Sequence, residues 1–151
     1  MEHGSLSRQV YIAASPAVVY QVVSSPEHLA TWWVEAAEFE PAPGSTGVLS
    51  WGATGCRTEV ALTVVEAVPG ERFCFRWVYP EGQAATSENS ILVTFDLLPQ
   101  GEGTVLRVTE EGMREKGWDA AVLEEYYKGH SETWGRLLAG LPAYVASLAK
   151  R

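Results

Sequence analysis

The hydrophobic period changes once along this chain, and that change dictates what it can fold into. Between Arg57 and Glu111 apolar residues fall largely on alternate positions, the period of a half-buried strand. From about Asp119 to Ala149 they recur at steps of three and four, as Val122, Leu123, Tyr126, Tyr127, His130, Trp134, Leu137, Leu138, Leu141, Val145 and Leu148. Strands joined by tight turns are antiparallel. One face of such a sheet needs cover, and the C-terminal helix is the only element of the right size. The fold class is therefore α+β, with a curved antiparallel sheet wrapped around one long helix. Gly140 and Pro142 are expected to kink that helix near its C-terminal third.

Breakers bound the remaining elements. Ser7 to Ala14 reads as a short strand, with Val10 and Ile12 on one face and Tyr11 on the other. Met1 to Arg8 reads as a frayed start without the apolar stretch of a signal peptide. Ser15-Pro16 and Ser25-Pro26 each offer an N-cap followed by proline at the first helical position, so two short helices come in tandem. Val18, Val19, Val22 and Val23 give the first its apolar stripe; Leu29, Trp32 and Trp33 follow in the second. A turn-rich loop spans Pro41 to Gly47. Strands are expected over Val48–Trp51, Arg57–Val68, Glu71–Tyr79, Ser90–Leu98 and Thr104–Glu111, with Pro69-Gly70 at the centre of a type II turn. No repeat, low-complexity tract or linker divides the chain, so one domain is expected over residues 1–151, its core from 8 to 149.

Composition narrows the function classes. The formal net charge is −8 and no basic run offers itself to phosphates, which disfavours nucleic acid and anionic membrane surfaces alike. No stretch of 18 apolar residues exists to span a bilayer, and a cytoplasmic location is the default. If Val68 faces Glu71, Cys74 lies opposite Val65. Cys56 is then nine positions away, roughly 30 Å along the strand, and free thiols are expected.

Six Trp, six Tyr and four Phe are the one compositional oddity, and large aromatics line pockets as well as fill cores. Phe73, Phe75, Trp77 and Tyr79 share one face of their strand; Cys74, Arg76 and Val78 share the other. Ile91, Val93, Phe95 and Leu97 share a face of the next strand, and Leu106 and Val108 of the last. Core filling under the helix explains most of these. Pocket lining is the sharper reading for Trp77 and Tyr79, with Trp33, Phe75, Ile91, Val93, Phe95, Tyr127, His130 and Trp134 as the candidate ligand-binding set. His130 reads as a half-buried packing residue, with a polar anchor as its alternative role. Glu110 and Glu111 read as a solvated strand end beside Glu102, and Glu59 as solvent-facing, or, if its strand is phased the other way, as the leading candidate for a buried carboxylate. His3, His28 and His130 are not spaced as metal ligands, no CxxC or G-x-S-x-G occurs, and Gly44-Ser45-Thr46-Gly47 lacks the lysine of a phosphate loop. No metal, cofactor or catalytic residue is expected.

An ordered set of motifs carries a resemblance. Val10 to Tyr20 resembles the strand-then-helix opening of the START-like superfamily, and Leu29-Ala30-Thr31-Trp32-Trp33 its second short helix. Pro43-Gly44-Ser45-Thr46-Gly47 resembles its P-G-G-x-[F/Y] loop, and Val65 to Trp77 its hairpin. Gly103 to Val108, and then His130-Ser131-Glu132-Thr133-Trp134 with Leu138 and Leu141, resemble its last strand and helix. The set covers nearly the whole chain, from Val10 to Leu148. It is similar to the branch named after the C-terminal domain of the activator of the heat-shock-protein-90 ATPase. Ser45-Thr46 stands where the motif has a second Gly, and Met113 to Gly117 looks inserted. The resemblance implies a helix-grip fold with a cavity between sheet and helix. It does not imply one function, since relatives include lipid carriers, polyketide cyclases and chaperone regulators. The near absence of paired ionisable groups at inward positions favours a binding protein for a lipid, polyketide or aromatic metabolite, expected as a monomer or homodimer. A polyketide cyclase-like enzyme and a chaperone-regulating domain that docks a partner protein are the alternatives.

Overall fold

The computed structural model describes residues 5–51, 58–78, 90–112 and 120–148, without the side chains of 51, 58–59, 78, 90, 120–123 and 126–127. Strand β1 (Ser5–Ile12) is followed by helices α1 (Pro16–Ser24) and α2 (Pro26–Trp32). Strands β2 (Ala36–Glu38), β3 (Thr46–Trp51), β4 (Thr58–Val68), β5 (Arg72–Val78), β6 (Ser90–Gln100) and β7 (Gly103–Glu111) come next, and α3 (Ala120–Leu148) ends the described chain. Among the described residues seven strands form one antiparallel sheet in the order β1-β7-β6-β5-β4-β3-β2. With its long C-terminal helix and two short helices after the first strand, this is the helix-grip arrangement. Within the described residues no helix is long and apolar enough to cross a membrane.

Local chemistry sets the short helices. The Ser15 hydroxyl accepts the Val18 amide at 3.4 Å, which caps α1. Val19, Val22 and Val23 then bury one face. Ser25 stands at the α2 cap position without a side-chain cap bond. Instead the Trp32 indole donates to the Val22 carbonyl at 2.8 Å and ties α2 back to α1.

Four expectations are corrected. Strand β1 begins at Ser5, because Leu6 is buried and pairs with Glu110, so part of the expected frayed start is sheet. Strand β2 was not expected: Ala36-Ala37-Glu38 is too short to show a period. It pairs antiparallel with β3, and Gly47 leaves room for the close approach beyond Glu38, where a Cβ would overlap the Glu38 carbonyl oxygen. Strand β6 runs to Gln100, past the expected end at Leu98. The Leu97 amide donates toward β5, to the Glu71 carbonyl at 2.9 Å. Pro99, two residues on, therefore lacks its N–H on the side where β5 has already ended. Finally, Cys74 lies opposite Glu66 rather than Val65, because the ladder shifts register between Val64 and Glu66. The turn itself is as expected, with Gly70 at φ +76° and the Glu71 amide returning to the Val68 carbonyl at 3.0 Å. Cys74 is a free, buried thiol; Cys56 lies outside the described residues.

The core lies between the sheet and the helices. Phe73, Phe75 and Trp77, then Ile91, Val93, Phe95 and Leu97, then Leu106 and Val108 are all buried on the inner face. Helix α3 meets them with Trp134, Leu138, Leu141 and Val145, and it continues unbroken through Pro142. Polar ties also fix it. Tyr144 shares a 2.7 Å hydrogen bond with His28 of α2, and Arg8 of β1 donates to the Ser131 carbonyl and hydroxyl at 3.2 Å.

Candidate functional site

Strand alternation carries the inner face of β7 from Leu106 through Val108 to Glu110. The carboxylate of Glu110 is thereby placed among apolar side chains, with its side chain 0% exposed. Its register neighbours are Leu6 on β1 and Val93 on β6. Sequence reasoning missed it, reading Glu110 as a solvated end. The parity of Leu106 and Val108 was the signal that could have found it. Glu111 and Glu102 are exposed, as expected.

A bare carboxylate in such a place is costly, because the charge has left water. Helix α3 supplies the compensation. His130 and Trp134 are one helical turn apart and project from the same face. The Trp134 indole donates to Glu110 Oε2, since an indole N–H can only donate. His130 Nδ1 lies 3.0 Å from the same oxygen. With the carboxylate ionised, Nδ1 carries the proton of that bond. Trp134 is 2% exposed, whereas the His130 side chain is 29% exposed. One donor is thus locked in the core and the other stands between the carboxylate and solvent.

Rings surround this pair. Trp77 meets His130 edge to face, centroids 6.0 Å apart at 84°. Trp33, at the C-terminal cap of α2, tilts against Trp134 at 5.0 Å, Trp77 at 5.6 Å and Phe75 at 6.1 Å. Phe95 stands against Trp134 at 5.8 Å and 82°. Offset and edge-on contacts at these separations are favourable beyond the area they bury.

Of the candidate residues, Trp33, Phe75, Trp77, Phe95, His130 and Trp134 therefore come together in one cluster. Ile91 and Val93 are fully buried on the inner face of β6. Tyr79 lies outside the described residues, as do the side chains of Tyr127 and Glu59. Glu110 joins the set from the structure. Among the described residues no group of three His, Cys, Asp or Glu comes together as a metal site.

Comparison with known proteins agrees with the fold. The family model for activator of Hsp90 ATPase homolog 1-like protein matches residues 13–146. No curated protein matches the chain. Among solved structures, a protein from Mesorhizobium loti shares 18% identity at TM-score 0.74, covering 95% of this chain and 97% of that one. One from Nitrosomonas europaea shares 16% identity at TM-score 0.78, covering 100% and 99%. The Aha1 dimer from Colwellia psychrerythraea shares 19% identity at TM-score 0.72, covering 93% and 95%.

Proposed function

We propose that this chain, which belongs to the family of activator of Hsp90 ATPase homolog 1-like proteins, binds a hydrophobic small molecule between its sheet and α3. The observation that carries the reading is Glu110, a carboxylate fully buried among aromatic rings. A core built for stability alone gains little from such a group, since replacing a whole buried polar pair by apolar side chains of similar volume is commonly neutral or better. A polar group converging on an otherwise apolar surface is what small-molecule sites use to fix orientation. The half-buried Trp33 and the part-exposed His130 lie on the solvent side of that layer.

Tryptophan emission tests this directly, because Trp33, Trp77 and Trp134 are mutual neighbours of the cluster. Titration with a neutral apolar dye, N-phenyl-1-naphthylamine, is expected to quench or shift that emission saturably, and unlabelled lipids or aromatic metabolites should compete. A flat response across dye and competitor panel, with an unchanged melting temperature, removes the reading.

The same pair supports a second reading, a cyclase-like enzyme. A buried carboxylate joined to a part-exposed imidazole can take a proton from a bound substrate and pass one on toward water. Turnover of a polyketide substrate by the native protein, lost in folded Glu110→Gln, would establish it. Equal turnover by both would exclude Glu110 as the base.

A further inference from the structure

The geometry points to the class of ligand: a flat, uncharged ring bearing a hydrogen-bond donor, such as a phenol, an enol or an azole N–H, which replaces the His130 imidazole on Glu110 while free carboxylic acids are refused. This rests on the binding reading above and sharpens it.

Both named donors converge on one oxygen, Glu110 Oε2. They differ in how firmly they are held. The indole of Trp134 is buried and has Trp33 and Phe95 against it at 5.0 Å and 5.8 Å. The His130 side chain is 29% exposed, so its imidazole is the donor that can turn out into water. A ligand displacing it inherits its surroundings. Those surroundings already accommodate a planar ring, edge to face with Trp77 at 84°, with its Nδ1 3.0 Å from the carboxylate oxygen. The imidazole is in effect a built-in specimen of the group that fits. Arriving there, a hydroxylated ring restores the bond that His130 gives up, and the carboxylate is never left uncompensated.

Charge sets the complementary exclusion. A ligand carboxylate at this position would face Glu110 across a space with little water to screen the repulsion. Arg8, the cation of the neighbouring strand, is engaged with the Ser131 carbonyl and hydroxyl. The net charge of −8 adds to the bias against anions. Fatty acids, the commonest apolar anions, therefore fall outside the class, and alcohols and phenols fall inside it.

Isothermal titration calorimetry of the full chain with 2-naphthol, 2-methoxynaphthalene and 2-naphthoic acid at pH 7.5 separates the possibilities, because the three share a ring system and differ in donor and charge. The naphthol is expected to bind about tenfold more tightly than its methyl ether, as a hydrogen bond to a charged group allows. The naphthoate is expected not to bind measurably. In Glu110→Gln the naphthol should fall to within about threefold of the ether, the difference left by a neutral hydrogen bond. In His130→Ala the naphthol should bind more tightly than in the native protein, since no internal donor has to leave. Naphthoate binding as well as naphthol, equal binding of all three, or weaker naphthol binding in His130→Ala would overturn the inference and leave the binding reading standing. If none of the three binds, both fall together.

Discussion

Replacing Trp134 with Phe and Glu110 with Leu, singly and together, measures the buried pair. In Trp134→Phe the ring stays but Glu110 Oε2 loses its locked donor, keeping His130. Removing a hydrogen bond to a buried charge costs about 1.5–3 kcal/mol, and the smaller ring adds about 1 kcal/mol of lost packing, giving about 3 kcal/mol. In Glu110→Leu the costly charge is gone, but a fully buried indole N–H is left without this acceptor, and about 1–2 kcal/mol is lost. The double variant has neither polar atom. It should lose only the packing share, about 1 kcal/mol, instead of the roughly 4–5 kcal/mol that the single losses sum to. Urea titration followed by far-ultraviolet circular dichroism reads all four proteins. With a slope of about 2 kcal/mol per molar, Trp134→Phe moves the midpoint down by about 1.5 M. Additivity within about 0.5 kcal/mol would mean that the indole and the carboxylate are not coupled, and the account of the site would be wrong.

Gly47→Ala should lower the melting temperature by more than about 5 °C in a calorimetric scan, because its Cβ would meet the Glu38 backbone carbonyl, which cannot swing away; a shift under about 1 °C refutes the β2–β3 crossing. Tyr144→Phe should cost about 1 kcal/mol by removing the 2.7 Å bond to His28, and an unchanged urea midpoint would show that this tie between α2 and α3 carries nothing. Burial pushes the Cys74 thiol up, with the Thr94 hydroxyl opposing it, and likewise pushes the Tyr20 hydroxyl up against the Ser24 bond. Both groups are neutral in the folded and unfolded chain below their unfolded values, so their share of stability is intact there. It is lost as pH climbs above about 8.5 for the thiol and about 10 for the phenol, because the unfolded chain ionises first. Unfolding free energies measured from pH 7 to 10.5 should fall less steeply in Cys74→Ala than in the native protein, and parallel curves refute the assignment.

Where an unbroken period is carried by apolar residues, the sequence shows the buried face. Phe73, Phe75 and Trp77 are buried on one face because alternation along β5 is unbroken. Trp134, Leu138, Leu141 and Val145 hold helical phase over the full length of their stripe. Where a local event resets the count, pattern alone was blind. The irregularity between Val64 and Glu66 inserts a residue into a ladder whose side chains still look alternating, so Cys74 gained a different partner from the one that counting back from the turn gives. Strand β2 is too short to show a period, and the room beside its Glu38 comes from the missing Cβ of Gly47 on another strand. At Glu110 period and polarity point opposite ways, and the structure follows the period. A carboxylate placed by parity on an inner face is a pairing problem whose solution, His130 and Trp134, lies in another element.

The sheet order has a kinetic consequence. Strand β1 opens the described chain yet pairs with β7, joining Ser5 to Glu111, so the first described strand waits for the last. The closure entropy of that long loop must be met before the contact gives anything back. The surroundings of Glu110 draw on β1, β6 and α3 at once. During synthesis they cannot be assembled until Trp134 has left the ribosome. Until then the charged β7 end remains in water and the ring cluster is incomplete. The buried carboxylate is therefore expected to be among the last groups to desolvate as the chain folds.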